Sequence, residues 1–93
     1  MWIKSQTKNM IVNSEQMIDI FIDKSGNRIM CETTRDGDFY VLGEYKDRDT
    51  CLKILDALIS VIGHDECVYI NMPLGGEVDS WYEDMTEINN KLY

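Results

Sequence analysis

The sequence contains few of the residues on which enzymes and metal centres depend. Its 93 residues include one histidine, His64, and three cysteines that lie far apart, Cys31, Cys51 and Cys67. A zinc site needs closely spaced Cys or His ligands, and a serine or cysteine nucleophile needs a base with an orienting partner. The Gly75-Gly76 pair lacks the lysine that completes a phosphate loop. We therefore expect no catalytic residue, no metal and no cofactor, and a protein that is not an enzyme.

Long apolar runs and a signal-peptide core are absent as well. A membrane-spanning helix needs roughly 20 consecutive apolar residues, and no run in the chain approaches that length. The cysteines are odd in number and lie in apolar segments, which is typical of buried, reduced thiols rather than of a disulfide framework. These absences predict a cytoplasmic protein that does not bind membranes.

Basic residues are scarce. The chain has 9 lysines and arginines against 17 aspartates and glutamates, which gives a net charge of −8 and a pI of about 4.4. Binding to nucleic acids or anionic membranes needs basic surface, so we expect no direct nucleic-acid binding. A protein partner with a basic surface fits this charge. Most of the charge lies near the C-terminus, because residues 64–93 carry seven carboxylates and one lysine.

Short apolar segments in the first half of the chain predict β-strands within one domain, residues 1–93. Residues 1–6 and 10–12 suggest a small hairpin or one bent edge strand. In residues 17–23 the isoleucines 18, 20 and 22 alternate with other side chains, so we expect them to face the core. Residues 28–34 and 39–45 continue as an antiparallel meander, joined at Asp36-Gly37 by a predicted tight turn.

The apolar period changes to that of a helix after residue 47. Cys51, Leu55, Leu58 and Ile62 fall at helical spacing, with Asp47 as the predicted N-cap and Gly63 as the terminator. Residues 67–72 then predict a short strand that ends at Pro73. The predicted fold is α+β: an antiparallel sheet of four to five short strands packed by one central helix, followed by an acidic amphipathic helix.

This C-terminal helix spans residues 77–92 and follows the core, residues 1–73, after a flexible Gly-Gly joint. Ser80 and Glu83 fit a capping box at its start. Its two faces differ in character, which makes it amphipathic. The acidic face carries Glu77, Asp79, Glu83, Asp84 and Glu87, and the apolar face carries Val78, Trp81, Tyr82, Met85, Ile88 and Leu92.

Three segments carry a resemblance to a known family. They are Met1-Trp2-Ile3-Lys4-Ser5-Gln6 with the later pair Val12-Asn13, then Leu42-Gly43-Glu44-Tyr45 followed by a helix, and the closing strand that ends in Met72-Pro73. Over about residues 1–73 the chain resembles a family of small, uncharacterised phage and prophage proteins of Gram-positive bacteria. The resemblance implies a phage or prophage accessory protein in the cytoplasm of a bacterial host, and it assigns no residue a role.

The C-terminal helix admits three interpretations. It docks its apolar face on its own core and exposes a merely solvated acidic face, which is the commonest behaviour of amphipathic helices. Alternatively, the carboxylates of Glu77, Asp79, Glu83, Asp84 and Glu87 stand in for nucleic-acid phosphates and bind a basic host protein, such as a nucleic-acid-handling defence protein. In the third interpretation the apolar residues Trp81, Tyr82, Met85, Ile88 and Leu92 pack on a second copy and form a homodimer.

The remaining candidates have simpler explanations. His64 is predicted to be a loop residue beyond a helix end. The aspartates 36, 38, 47 and 49 lack the glycine and glutamate of a calcium loop and are better explained as turn and cap residues. An exposed aromatic patch formed by Trp2 and Tyr40 is one interpretation, but we expect them to pack in the core or at a sheet edge.

Overall fold

The computed structural model describes residues 1–35, 37–62 and 69–92, with side chains to residue 90. Within these residues the protein has α+β architecture, with six strands and two helices. The strands are β1 (Trp2–Lys4), β2 (Ile11–Asn13), β3 (Met17–Ile22), β4 (Arg28–Thr33), β5 (Phe39–Glu44) and β6 (Tyr69–Asn71). The helices are α1 (Arg48–Val61) and α2 (Val78–Leu92).

The described strands form two sheets of three strands each. The hairpin sheet has the order β2-β1-β6, with β1 antiparallel to β2 and parallel to β6. The meander sheet has the order β3-β4-β5 and is antiparallel throughout. The predicted single sheet of four to five strands around one central helix is therefore wrong, although the α+β class is confirmed. A 3₁₀ turn at Ser14–Gln16 separates the hairpin from the meander, and β6 returns beside β1 instead of extending the meander.

The hairpin sheet contributes one buried row to the core. Ile3 on the central strand pairs with Val12 on one side and with Ile70 on the other, and all three side chains are buried. Because side chains alternate along a strand, the neighbouring residues Trp2 and Tyr69 point to the opposite, exposed face. The predicted hairpin of the first two strands is confirmed, and β1 becomes the centre of its sheet.

The predicted antiparallel meander is confirmed, and Ile29, Cys31 and Thr33 form the buried face of β4. The prediction for β3 holds only in part. Ile20 and Ile22 pack against the core, but Ile18 is 55% exposed. The pairing of β3 with β4 shifts register between Met17 and Asp19, and a bulge at this point turns the intervening side chain outward.

Helix α1 begins as predicted, because the Asp47 carboxylate accepts a hydrogen bond of 2.8 Å from the Thr50 backbone N–H. Its buried face is Cys51, Ile54, Ala57, Leu58 and Val61. Leu55 and Ile62, which were predicted to be on this face, lie at its margin. The predicted terminator Gly63 and the loop residue His64 lie outside the described residues, as do Asp36 and Cys67. One apolar cluster joins residues from both sheets and both helices.

Candidate functional site

Helix α2 packs its apolar face against its own chain. Val78 and Met85 are buried, and Trp81, Tyr82 and Ile88 are half-buried against the core, chiefly along α1. The Trp81 indole N–H also donates a 2.8 Å hydrogen bond to the backbone carbonyl of Asn71, at the end of β6. The apolar residues proposed for a dimer interface are thus in contact with the monomer's own core. The side chain of Leu92 lies outside the described part of the chain.

Lys53 of α1 contacts the first turns of α2 from the side. Its ammonium lies 3.2 Å from the Asp79 carboxylate and 4.5 Å from the centre of the Tyr82 ring. The pair is largely solvent-exposed, so its contribution to stability is small. The rotation of α2 relative to α1 follows instead from the burial of Val78 and Met85 in the core. Sequence reasoning did not identify Lys53, and no spacing rule links residues on separate helices.

The five carboxylates proposed for partner binding fall into two groups. Glu77 accepts a 3.2 Å hydrogen bond from the Leu74 backbone N–H, and Asp79 binds Lys53, so these two organise the start of the helix. Glu83, Asp84 and Glu87 are exposed on the side away from the core, and we call these three the acidic face. Glu83 and Glu87 lie four residues apart, about 6 Å along the helix axis.

The start of α2 differs from the predicted capping box. The Ser80 hydroxyl donates to the Glu77 carbonyl at 3.1 Å and therefore lies inside the first turn, so it is not the cap. The cap is made one turn earlier, where the Glu77 and Leu74 backbones and the Glu77 carboxylate close a 3₁₀ turn. The predicted flexible Gly-Gly joint is part of this turn.

The three segments that carry the family resemblance meet at one junction, formed by Gln6, Glu44, Tyr45 and Pro73. The Gln6 amide accepts from the Glu44 N–H at 2.8 Å, and it donates to the Glu44 carbonyl at 3.0 Å and to the Pro73 carbonyl at 3.2 Å. The buried Tyr45 hydroxyl donates to the same Pro73 carbonyl at 2.9 Å. These contacts tie the two sheets to the segment that leads into α2, so the motifs have a structural role here.

A cleft of about 350 Å³ opens between the two sheets. Trp2 and Tyr40 both line it, with Met10, Ile11 and Arg35. Tyr40 packs partly against the core as predicted, but Trp2 is 50% exposed, so the prediction of packing was wrong for Trp2. The short strand β1 has one face available for the core, and Ile3 occupies it.

The buried thiols are poor candidates for chemistry. Cys31 and Cys51 are free and fully buried, as predicted, and burial raises the pKa of Cys31 to about 11. Burial also raises the pKa of Cys51, with the nearby Asp47 adding to the effect. A nucleophilic thiol needs the opposite shift and some access to solvent.

No group of metal-ligating side chains suited to a cation occurs among the described residues. Asp47, one of the four aspartates considered above, is the α1 cap, and the hydrogen bond from Thr50 lowers its pKa. A larger cavity of about 520 Å³ lies beside this cap, but its lining charges are mixed, with Lys46 and Lys53 facing Asp47, Asp49 and Asp79.

Comparisons with protein-family models, with curated proteins and with solved structures found no match. The resemblance to phage proteins therefore stays a prediction. In the part of the chain that the structure describes, no helix is both long and apolar enough to cross a membrane.

Proposed function

We propose that the protein is a non-enzymatic binding module that presents the acidic face of α2 to a basic protein. The observation that supports this is that the two faces of the helix differ in their contacts with the rest of the chain. Its apolar side is occupied by the chain's own core, while Glu83 and Asp84 are exposed and make no hydrogen bond or ion pair with any described residue. Carboxylates that organise no local structure are available to a partner.

The charge density of the helix supports phosphate mimicry. The acidic face, Glu83, Asp84 and Glu87, spans about 6 Å of helix axis, and Asp79 does not belong to this row because it pairs with Lys53. The mean spacing of successive charges along the axis is about 3 Å, and a single strand of duplex DNA carries one phosphate per about 3.4 Å. A basic channel that binds a nucleic-acid strand would meet a similar row of charges here. Together with the family resemblance, this leads us to propose an inhibitor of a nucleic-acid-handling defence protein in the bacterial cytoplasm.

The alternative of a homodimer through α2 has less support from the geometry. Trp81, Tyr82, Met85 and Ile88 would have to leave the core before they could pack on a second copy, unless two chains exchanged their helices. Light scattering over a range of protein concentrations tests this alternative directly. A dimer that is lost on truncation after Pro73 would support it.

Affinity capture from a lysate of Gram-positive bacteria tests the acidic face. The test variant is the triple replacement Glu83→Gln, Asp84→Asn and Glu87→Gln. Its matched control, Glu15→Gln, Asp19→Asn and Asp56→Asn, removes three exposed carboxylates elsewhere. Three exposed ion pairs contribute about 0.2–1 kcal/mol each, so we expect the captured protein's affinity to fall about threefold to a hundredfold in the test variant only.

The same complex should dissociate between 0.1 M and 1 M salt, where the screening length falls from about 10 Å to about 3 Å. Duplex DNA should compete for the captured protein. The proposal is wrong if the captured complex is insensitive to salt, to DNA and to the triple replacement on the acidic face.

A further inference from the structure

The cleft between the two sheets has the composition of a binding site that is separate from the acidic face. Trp, Tyr, Arg and Met are enriched where interfaces concentrate their binding energy. Trp2, Tyr40, Arg35 and Met10 all line this cleft, and Ile11 adds a half-exposed aliphatic side chain. Its volume of about 350 Å³ is at the lower end of ligand pockets, about 300–1,000 Å³. It can therefore hold one or two bulky side chains.

One wall of the cleft is an edge of the hairpin sheet. Among the residues that the structure describes, strand β2 pairs with β1 and with no other strand. Hydrogen bonds from Ser14 N–H to the Met1 carbonyl and from Ser5 N–H to the Met10 carbonyl set the alternation along this pair. It follows that the backbone N–H and C=O of Ile11 and the N–H of Asn13 point away from β1, towards the open edge. An extended peptide can pair with such an edge.

The charge of the cleft selects among peptides. Arg35 is the one charged side chain among the described residues that line it, although the whole chain carries a net charge of −8. A guanidinium pairs most strongly with a carboxylate, through two parallel hydrogen bonds. The cleft thus favours an acidic residue at the end where Arg35 lies.

We propose that this cleft binds an extended peptide segment of a partner protein, which adds a strand to the edge of β2. A bulky apolar side chain of the segment inserts between Met10 and Tyr40 on the core side, and the next side chain of the segment covers Trp2 and Ile11 on the exposed face. An acidic side chain close by in the segment binds Arg35. This inference goes beyond the function proposed for α2 and does not depend on it, because the two surfaces share no residue.

A library of random heptapeptides displayed on phage provides the first probe. Peptides are selected on the wild-type protein after depletion on a Trp2→Ser variant. We expect the selected sequences to combine a bulky apolar residue with a nearby Asp or Glu. The proposal is refuted if selection yields no sequence that prefers the wild-type protein over Trp2→Ser.

One selected peptide, synthesised with blocked ends, is then titrated into ¹⁵N-labelled protein. The signals of the Trp2 indole and of the Ile11 and Asn13 amides should move, while the Trp81 indole signal stays in place and reports an intact fold. Arg35→Glu should weaken binding about tenfold or more, and Arg35→Lys should restore most of it. The matched charge reversal Arg48→Glu, at an exposed arginine outside the cleft, should leave it unchanged.

Two further outcomes separate peptide binding in the cleft from self-association of the chain and from peptide binding to α2. If the Trp2 and Ile11 signals move on dilution without peptide, a second copy of the chain occupies the cleft and the peptide proposal is wrong. The triple replacement on the acidic face should leave peptide binding unchanged. If that replacement abolishes peptide binding, the peptide binds α2 and the assignment to the cleft fails, whatever the lysate experiment shows for the acidic face.

Discussion

Gly43 lies directly beneath the ring of Tyr45, and this contact predicts the effect of adding one methyl group. A Cβ at residue 43 would lie 2.6 Å from the Tyr45 hydroxyl oxygen and 2.7 Å and 2.9 Å from two ring carbons. These distances are well below van der Waals contact. The ring cannot simply move outward, because Tyr45 is 4% exposed and its hydroxyl binds the Pro73 carbonyl. Gly43→Ala must therefore displace a buried aromatic ring.

The cost of Gly43→Ala follows from three terms. Overpacking a core costs about 1–3 kcal/mol. Loss of the hydrogen bond from Tyr45 adds about 0.5–1.5 kcal/mol. Alanine in place of glycine inside a strand stabilises the folded state by about 0.5–1 kcal/mol, which offsets part of this cost. We expect the free energy of unfolding to fall by about 2 kcal/mol, which lowers the urea midpoint by about 1–2 M for a domain of this size.

A double-mutant cycle identifies the Tyr45 ring as the cause. In a Tyr45→Leu background the ring is absent, so Gly43→Ala should be neutral or slightly stabilising. Urea unfolding followed by circular dichroism measures all four proteins, with sodium sulfate present throughout so that each of them folds. If Gly43→Ala costs the same in both backgrounds to within about 0.5 kcal/mol, the contact with Tyr45 is not the cause.

Two further predictions concern the junction and the core. Gln6→Leu removes three hydrogen bonds to Glu44 and Pro73. Since the site is partly exposed, we expect the free energy of unfolding, measured with urea, to fall by about 1–3 kcal/mol. A fall below about 0.3 kcal/mol would show that water replaces these bonds. Burial raises the pKa of Cys31 to about 11 from 9.0, so the folded state holds this proton more tightly than the unfolded state does. The contribution of the protonated Cys31 thiol to the free energy of unfolding is complete below pH 9. It is lost as the pH rises towards 11, which lowers the free energy of unfolding by roughly 2 kcal/mol. Cys31→Ala should reduce the fall in stability between pH 9 and 11, and an unchanged pH profile would contradict this account.

Elements whose signals are local could be predicted from the sequence. The Asp47 cap, the strands of the meander and the existence of both helices follow from side-chain chemistry and period within a few residues. Strand partners could not be predicted in this way. β1, β2 and β6 have three residues each. A segment of this length has no sequence pattern that predicts the parallel pairing of β6 with β1. The prediction of one sheet failed because pairing is a long-range property.

The same distinction applies to the candidate sites. The acidic residues of α2 were visible as a charged stripe, but their division into two groups depends on Leu74 and Lys53, which contact them from other elements. The exposure of Trp2 was missed because the sequence shows that the residue is large and apolar and does not show which face of β1 the core occupies. Contacts between distant segments thus decide which predicted residues remain available to a partner.

The junction at Pro73 gives a structural role to the motifs on which the family resemblance depends. Gln6, Glu44 and Tyr45 bring their polar groups together at the segment from which α2 departs, and Gly43 provides the space that Tyr45 needs to reach it. This arrangement sets the position at which α2 leaves the sheets, and the burial of Val78 and Met85 sets its rotation. A helix fixed at both its origin and its rotation presents Glu83, Asp84 and Glu87 as a rigid row, so a partner would bind them without having to order the helix first. A variant that loosens the junction, such as Gln6→Leu, should therefore weaken binding at the acidic face even though it leaves every one of those carboxylates in place.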